Sequence, residues 1–234
     1  NNFFRCLQIN PKNISANNNL GNNYKYLFNY SKAEEYFNKA LEINPKYLNA
    51  LVNYGNLKFE LNQSSDSLEL LNKALLIDEK SVSVNINLAL VYQSIGEYKK
   101  AIDILKMINV INPNVVRADK MMSALINYNK DDEHLLSMEK KISELALSDN
   151  QKVFLHFAIG KAYEDKKNYL KATEHIELGN NLKLSSSNYN LDRENKLFTN
   201  IKNLFGGYDF KTQELSKSKV KMIFILGMPR SGTT

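Results

Sequence analysis

Along most of this chain, apolar residues fall three and four apart in paired short runs. Leu20, Tyr24 and Leu27 share one helical face, and Ala33, Phe37, Ala40 and Leu41 form the facing stripe of a second helix. Pro45, two residues after Ile43, cannot continue that helix, so a turn and a new unit begin there. The pattern changes at two places near the C-terminus. Residues 192–205 predict one further helix, with Leu197, Phe198, Ile201, Leu204 and Phe205 on one side, closed by a left-handed cap at Gly206-Gly207. "VKMIFIL", residues 220–226, is continuously apolar and rich in β-branched residues, as a strand buried on both faces should be.

The helical pairs repeat every 34 residues. Asn10-Pro11, Asn44-Pro45, Asp78 and Asn112-Pro113 keep the step, as do small Gly21, Gly55 and Ala89 and large Phe37, Leu71 and Leu105. Ala33, Ser67 and Ala101 are small, as are Ala40 and Ala74, before Ile108 breaks that last row. Small residues let two helix backbones approach while the large one fills the groove between them. Each pair leaves one apolar face bare, which the next pair covers. These residues are the pattern of the tetratricopeptide repeat, which this chain resembles closely. The aromatic usual near the start of the first helix is absent, with Asn17, Leu51 and Asn85 in its place. The expected organisation is a repeat domain over 1–184, with a partial repeat at 1–13 and repeats at 14–47, 48–81 and 82–115. A degenerate copy at 116–148 carries a short insertion, and a last copy covers 149–184. A connector helix and linker would follow at 185–219, and a new domain would start at 220–234. On this alignment the chain begins inside a repeat, and Cys6 takes a small core position.

Asn19, Asn53 and Asn87 recur at the period in the first helices, with Asn22 and Asn56 three residues on and Leu90 ending the second row. First helices of such repeats line the concave surface of the superhelix. A column of amides there offers a donor and an acceptor to an extended peptide backbone, whatever its sequence. Asparagine is also frequent in this family and in this chain, so peptide capture and plain solvated surface both stand.

Composition narrows the partners. The net charge is +6, but residues 211–234 hold five basic side chains against Glu214 and so carry +4 of it. A nucleic-acid surface would spread its charge along a face with aromatic or Arg readers, so nucleic acid is not an expected partner. No apolar run approaches the roughly 18–20 residues of a membrane helix. "NNFFRCLQINP" lacks the basic and apolar regions of a signal peptide. A cytoplasmic location is the expectation, and one cysteine excludes an intrachain disulfide. His134, His156 and His175 stand at no metal-ligand spacing, so they read as packing or surface residues and no metal is expected.

The last twelve residues, "IFILGMPRSGTT", carry the one chemical motif. Gly227 allows a sharp turn, Pro229 stiffens the loop, and Gly232 permits close backbone approach before Thr233-Thr234 open a helix. Successive amides and a helix N-terminus attract a phosphate-like anion, and Arg230 adds a forked cation. Thr233 stands where a nucleotide-triphosphate loop has Lys, which argues against ATP or GTP chemistry. "GMPRSGTT" after an apolar strand resembles the 5′-phosphosulfate loop of sulfotransferases. Its place behind the repeats is similar to the layout of bacterial tetratricopeptide-repeat sulfotransferases, relatives of the protein-tyrosine sulfotransferases.

The resemblance implies a donor, 3′-phosphoadenosine 5′-phosphosulfate, no metal, and Arg230 as the donor and transition-state contact. It implies that Gly227, Pro229, Arg230, Ser231, Gly232, Thr233 and Thr234 hold the phosphate. The expected fold is an all-α tetratricopeptide-repeat superhelix, followed by the first β-strand and phosphate-binding loop of a truncated α/β P-loop-like sulfotransferase domain. The expected function is the N-terminal part of a sulfotransferase acting on a hydroxyl, with a protein tyrosine as the candidate acceptor and the repeats presenting the acceptor or a partner. The base and 3′-phosphate site would lie beyond residue 234, so these residues alone are expected to be inactive. The other reading is a non-catalytic repeat scaffold that binds protein or peptide.

Overall fold

The computed structural model describes residues 2–130, 132–187 and 190–206. The predicted strand and loop at 220–234 lie outside the described residues, as does Gly207. All regular structure among the described residues is helical. The chain divides into two units, residues 1–187 and 188–234.

The first unit holds α1 (Asn2–Ile9), then four antiparallel pairs and one irregular repeat. The first three pairs are α2 (Ile14–Tyr26) with α3 (Tyr30–Ile43), α4 (Leu48–Glu60) with α5 (Ser64–Leu75), and α6 (Val82–Ser94) with α7 (Tyr98–Ile111). In the irregular repeat the short α8 (Val116–Ser123) packs on α7 and on α10 (Asp149–Asp165), and α9 (Glu133–Glu144) packs on α10, which pairs with α11 (Tyr169–Ser185). The first helices stack on one another, α2 on α4 and α4 on α6, while each second helix also meets the next first helix. This is a helical solenoid built from one repeated hairpin.

Local chemistry fixes both turns of each hairpin. Between repeats, the side chains of Asn10, Asn44, Asp78 and Asn112 each accept a hydrogen bond from the backbone N–H two residues on, at 2.9–3.1 Å. The Asx turn recurs at Asp78 without a following proline, so the carboxamide or carboxylate oxygen is the part that repeats. Within repeats, the turn residue is left-handed at Phe28 (φ 57°), Asn62 (φ 59°), Gly96 (φ 83°) and Lys167 (φ 58°). Asn13, Asn29 and Asn168 cap α2, α3 and α11, and Ser148 with Gln151 forms a capping box on α10. Much of the abundant asparagine is therefore turn and cap chemistry.

The core runs along the solenoid between first and second helices. Ala33, Phe37, Ala40, Leu71, Ala74, Ala101, Leu105 and Ile108 are fully buried. Gly21 lies against the Phe37 ring, so close that an added Cβ would sit 2.6 Å from two ring carbons. Asn17 and Asn85, each 1% exposed, occupy the place of the missing aromatic. They donate back to backbone carbonyls of the preceding turn, Asn17 to Asn13 and Pro11, and Asn85 to Ser81 and Glu79.

The degenerate repeat departs most from this plan. α8 stops at Ser123, five residues short of the span its counterpart α6 covers, and the chain loops through Tyr128, whose side chain is fully buried. Cys6 is exposed, not a core residue as its repeat position predicts, because no described element covers that side of α1. α1 packs instead through Phe4, which meets Tyr24 and Tyr36 edge-on at 6.4 and 6.3 Å.

The described part of the second unit is α12 (Leu191–Phe205), capped by Asn190. Gly206 has φ −66° and is not itself left-handed, and Gly207, the other half of the predicted cap, lies outside the described residues. Leu197, Phe198, Ile201, Leu204 and Phe205 are exposed.

Candidate functional site

The stacking of α2, α4 and α6 brings the periodic asparagines together on the first-helix face. Asn19, Asn53, Asn87, Asn22 and Asn56 are all half-buried. Asn53 donates to the Asn18 carbonyl at 3.0 Å, and Asn18 donates to Asn19 at 3.4 Å, so the first row is partly self-paired through Asn18, 5% exposed. Nothing in the period marks Asn18, because Val52 and Ile86 stand at its equivalents. Asn87, Asn22 and Asn56 make no side-chain hydrogen bond with other described residues, so their amides face outward with donor and acceptor uncommitted.

The second row ends in a cavity. Leu90 stands where Asn22 and Asn56 stand in the preceding repeats, and it lines a cavity of about 600 Å³ with Phe59, Gln93, Tyr98 and Leu125. The shortened α8 helps to open this space, because Ala124 and Leu125 follow its end. A row of amides thus leads along the first helices into a partly apolar recess.

A second recess, of about 530 Å³, lies among α7, α8 and α9, with Lys106, Met122, Ile126, Lys140 and Leu145 in its walls. Beneath it is a polar network that the sequence did not reveal. The fully buried Asp119 carboxylate accepts from Lys141 at 2.7 and 2.9 Å, from Asn109 at 2.8 Å and from His134 Nε2 at 3.1 Å. Because a carboxylate only accepts, His134 donates from Nε2, and its Nδ1 lies 2.6 Å from the Tyr128 hydroxyl. The network ties the loop after α8 to α9 and reads as structural. Its members share no period, which is why spacing alone did not find them.

His156 and His175, which stand at no metal-ligand spacing in the sequence, face each other across α10 and α11 with Nδ1 atoms 3.1 Å apart. The helix hairpin joins residues that are 19 apart in sequence. The Tyr163 ring packs on His175 at 5.9 Å, and its hydroxyl donates to Glu139 and accepts from Lys171 at 3.0 Å. Burial pushes both imidazoles below the ordinary histidine range. For His156 the His175 and Lys152 charges add to this, whereas Glu174 and Glu139 oppose it at His175 and Lys171 supports it. Burial, then the bond to Glu139, pushes the Tyr163 phenol up.

No group of three or more histidine, cysteine or acidic side chains gathers into a metal cage among the described residues. None of the described helices is long and apolar enough to cross a membrane. The anion-loop residues Gly227, Pro229, Arg230, Ser231, Gly232, Thr233 and Thr234 lie outside the described residues.

Residues 14–47 match the tetratricopeptide repeat family. The fold of the first unit is that of a tetratricopeptide-repeat solenoid. The structure is similar to MamA (TM-score 0.58, 20% identity, 73% of this chain and 98% of that one). It is also similar to Pseudomonas aeruginosa pilF (TM-score 0.59, 18% identity, 83% and 93%). YrrB, described as a TPR protein with an unusual peptide-binding site, aligns with TM-score 0.56 and 19% identity over 79% of this chain and 93% of its own. An uncharacterised protein of Aquifex aeolicus (strain VF5) is 31% identical over 148 residues, 62% of this chain. The alignment spans 19% of that relative's length.

Proposed function

We propose that the repeat solenoid is a protein-interaction module that holds an extended peptide along the first-helix face. The observation that carries this reading is the row Asn22–Asn56, whose uncommitted amides lead into the cavity beside Leu90 and Tyr98. Asparagine side chains pair with a peptide backbone without reading its side chains, and the recess takes one bulky apolar residue. YrrB, of similar fold, is described as having a peptide-binding site, which supports the class of ligand.

Peptides selected against the protein from a displayed random library test this. Asn22→Ala with Asn56→Ala removes two hydrogen bonds of about 0.5–1.5 kcal/mol each, so affinity should fall roughly tenfold. The melting temperature should hold, because neither side chain bonds to the rest of the described chain. Affinity unchanged in this variant would reject the reading.

We also propose that residues 220–234 open a sulfuryl-donor site in a larger sulfotransferase, with the repeats holding the acceptor or a partner. The octet "GMPRSGTT" after an apolar run supports this reading. Arg230 would contact the 5′-phosphosulfate of 3′-phosphoadenosine 5′-phosphosulfate, and Gly227, Pro229 and Ser231 to Thr234 would hold its phosphate. A charge-assisted bond of about 1.5–3 kcal/mol predicts a ten- to hundredfold loss of donor affinity in Arg230→Ala of the parent protein. Wild-type donor affinity in that variant would reject this assignment.

A further inference from the structure

We propose that His156 and His175 form a binding site for one divalent transition-metal ion, zinc, nickel, cobalt or copper(II), held by their two Nδ1 atoms. The spacing fits. Two metal–imidazole bonds of about 2.0–2.1 Å place their nitrogens about 2.9 Å apart at a right angle and about 3.3 Å apart at a tetrahedral angle. The observed separation of 3.1 Å falls between these two values, so the spacing suits one ion shared by both nitrogens. Two imidazoles select this class of ion over calcium or magnesium, which take oxygen ligands.

The pair is held before any ion arrives. His156 is carried by α10 and His175 by α11, and these helices lock where Gly160 meets Ile176 and Gly179 meets Phe157. The Tyr163 ring bears on His175 and fixes its plane. Burial favours the neutral rings, the form that coordinates, aided by Lys152 at His156 and Lys171 at His175, while Glu174 and Glu139 oppose it at His175. Without metal, one Nδ1–H donates to the other ring's Nδ1. The ion takes the place of that proton, which passes through solvent to Nε2 of its own ring, so no net proton is released. Neither ring makes another hydrogen bond among the described residues, so Nε2 is open to receive it. No third histidine, cysteine or carboxylate of the described chain joins the pair. The remaining coordination positions therefore face water or a group brought by a bound partner.

Isothermal titration of the whole 234-residue chain with zinc chloride and with nickel chloride tests this directly. One ion per chain is expected, with affinity falling roughly tenfold or more in His156→Gln and equally in His175→Gln. Far-ultraviolet circular dichroism checks that both variants keep their helices. In the unmutated protein, zinc should move the imidazole 15N signals of both Nδ1 atoms, a readout that needs no variant. Absence of saturable binding would overturn the site. So would affinity retained in either variant, or 15N shifts confined to His134.

Discussion

Gly21 to Ala, a substitution that ordinarily stabilises a helix, should destabilise this protein. The added Cβ would lie 2.6 Å from Phe37 Cδ1 and Cε1 and 2.9 Å from Cζ, where ordinary carbon contacts begin at about 3.5 Å. Phe37 cannot swing away, because it is fully buried and stacked on Tyr54 with ring centroids 5.8 Å apart. Overpacking of this kind costs roughly 1–3 kcal/mol, while replacing a mid-helix glycine by alanine returns about 1 kcal/mol. With so short a contact the overpacking term should lie near its upper end, for a net loss of about 1–2 kcal/mol. The third repeat carries the built-in control, since Ala89 stands at this position opposite Leu105. Installing that pair, Gly21→Ala with Phe37→Leu, should remove the clash and give a favourable coupling of about 1–2 kcal/mol in a double-mutant cycle. Urea unfolding followed by far-ultraviolet circular dichroism measures all four proteins, with unchanged slopes required for the comparison. Wild-type stability in Gly21→Ala, or strict additivity in the double variant, would refute the reasoning.

Ser67 Oγ is buried with no hydrogen-bond partner among the described residues, and Ala33 and Ala101 occupy its equivalents. Ser67→Ala should therefore stabilise the protein by about 1 kcal/mol in urea unfolding. Phe28 and Lys167 sit at φ 57° and 58° in the turn position that Gly96 fills elsewhere; Phe28→Gly and Lys167→Gly should each raise stability by up to about 1 kcal/mol, and a loss in both would contradict it. Lys141→Met would leave the buried Asp119 carboxylate without its cation and should cost about 3–5 kcal/mol, read as a lowered midpoint of unfolding.

The solenoid was legible because its residues alternate small and large at a fixed period. Gly21 against Phe37 and Gly55 against Leu71 are contacts that sequence spacing exposes directly. The degenerate repeat was legible only as a departure. Tyr128 reaches His134, and through it Asp119 and Lys141, because the chain unwinds after Ser123, and no periodic rule places a residue in such a loop. The histidine pair did leave a signal. Extending the small-against-large register to Gly160 and Ile176 sets His156 and His175 within about one turn of that contact. Cys6 failed for the opposite reason, since a repeat position specifies burial only when a neighbouring helix is there to supply it.

The first-helix face is the central functional claim, and side-chain amide and methyl NMR with a selected peptide tests it most directly. A bound peptide should shift the NH2 signals of Asn22 and Asn56 in the row, of Asn87 beside it, and the methyls of Leu90 and Leu125 in the cavity. Shifts confined instead to the methyls of Val110, Met122, Ile126 and Leu145, around the recess among α7, α8 and α9, would contradict it.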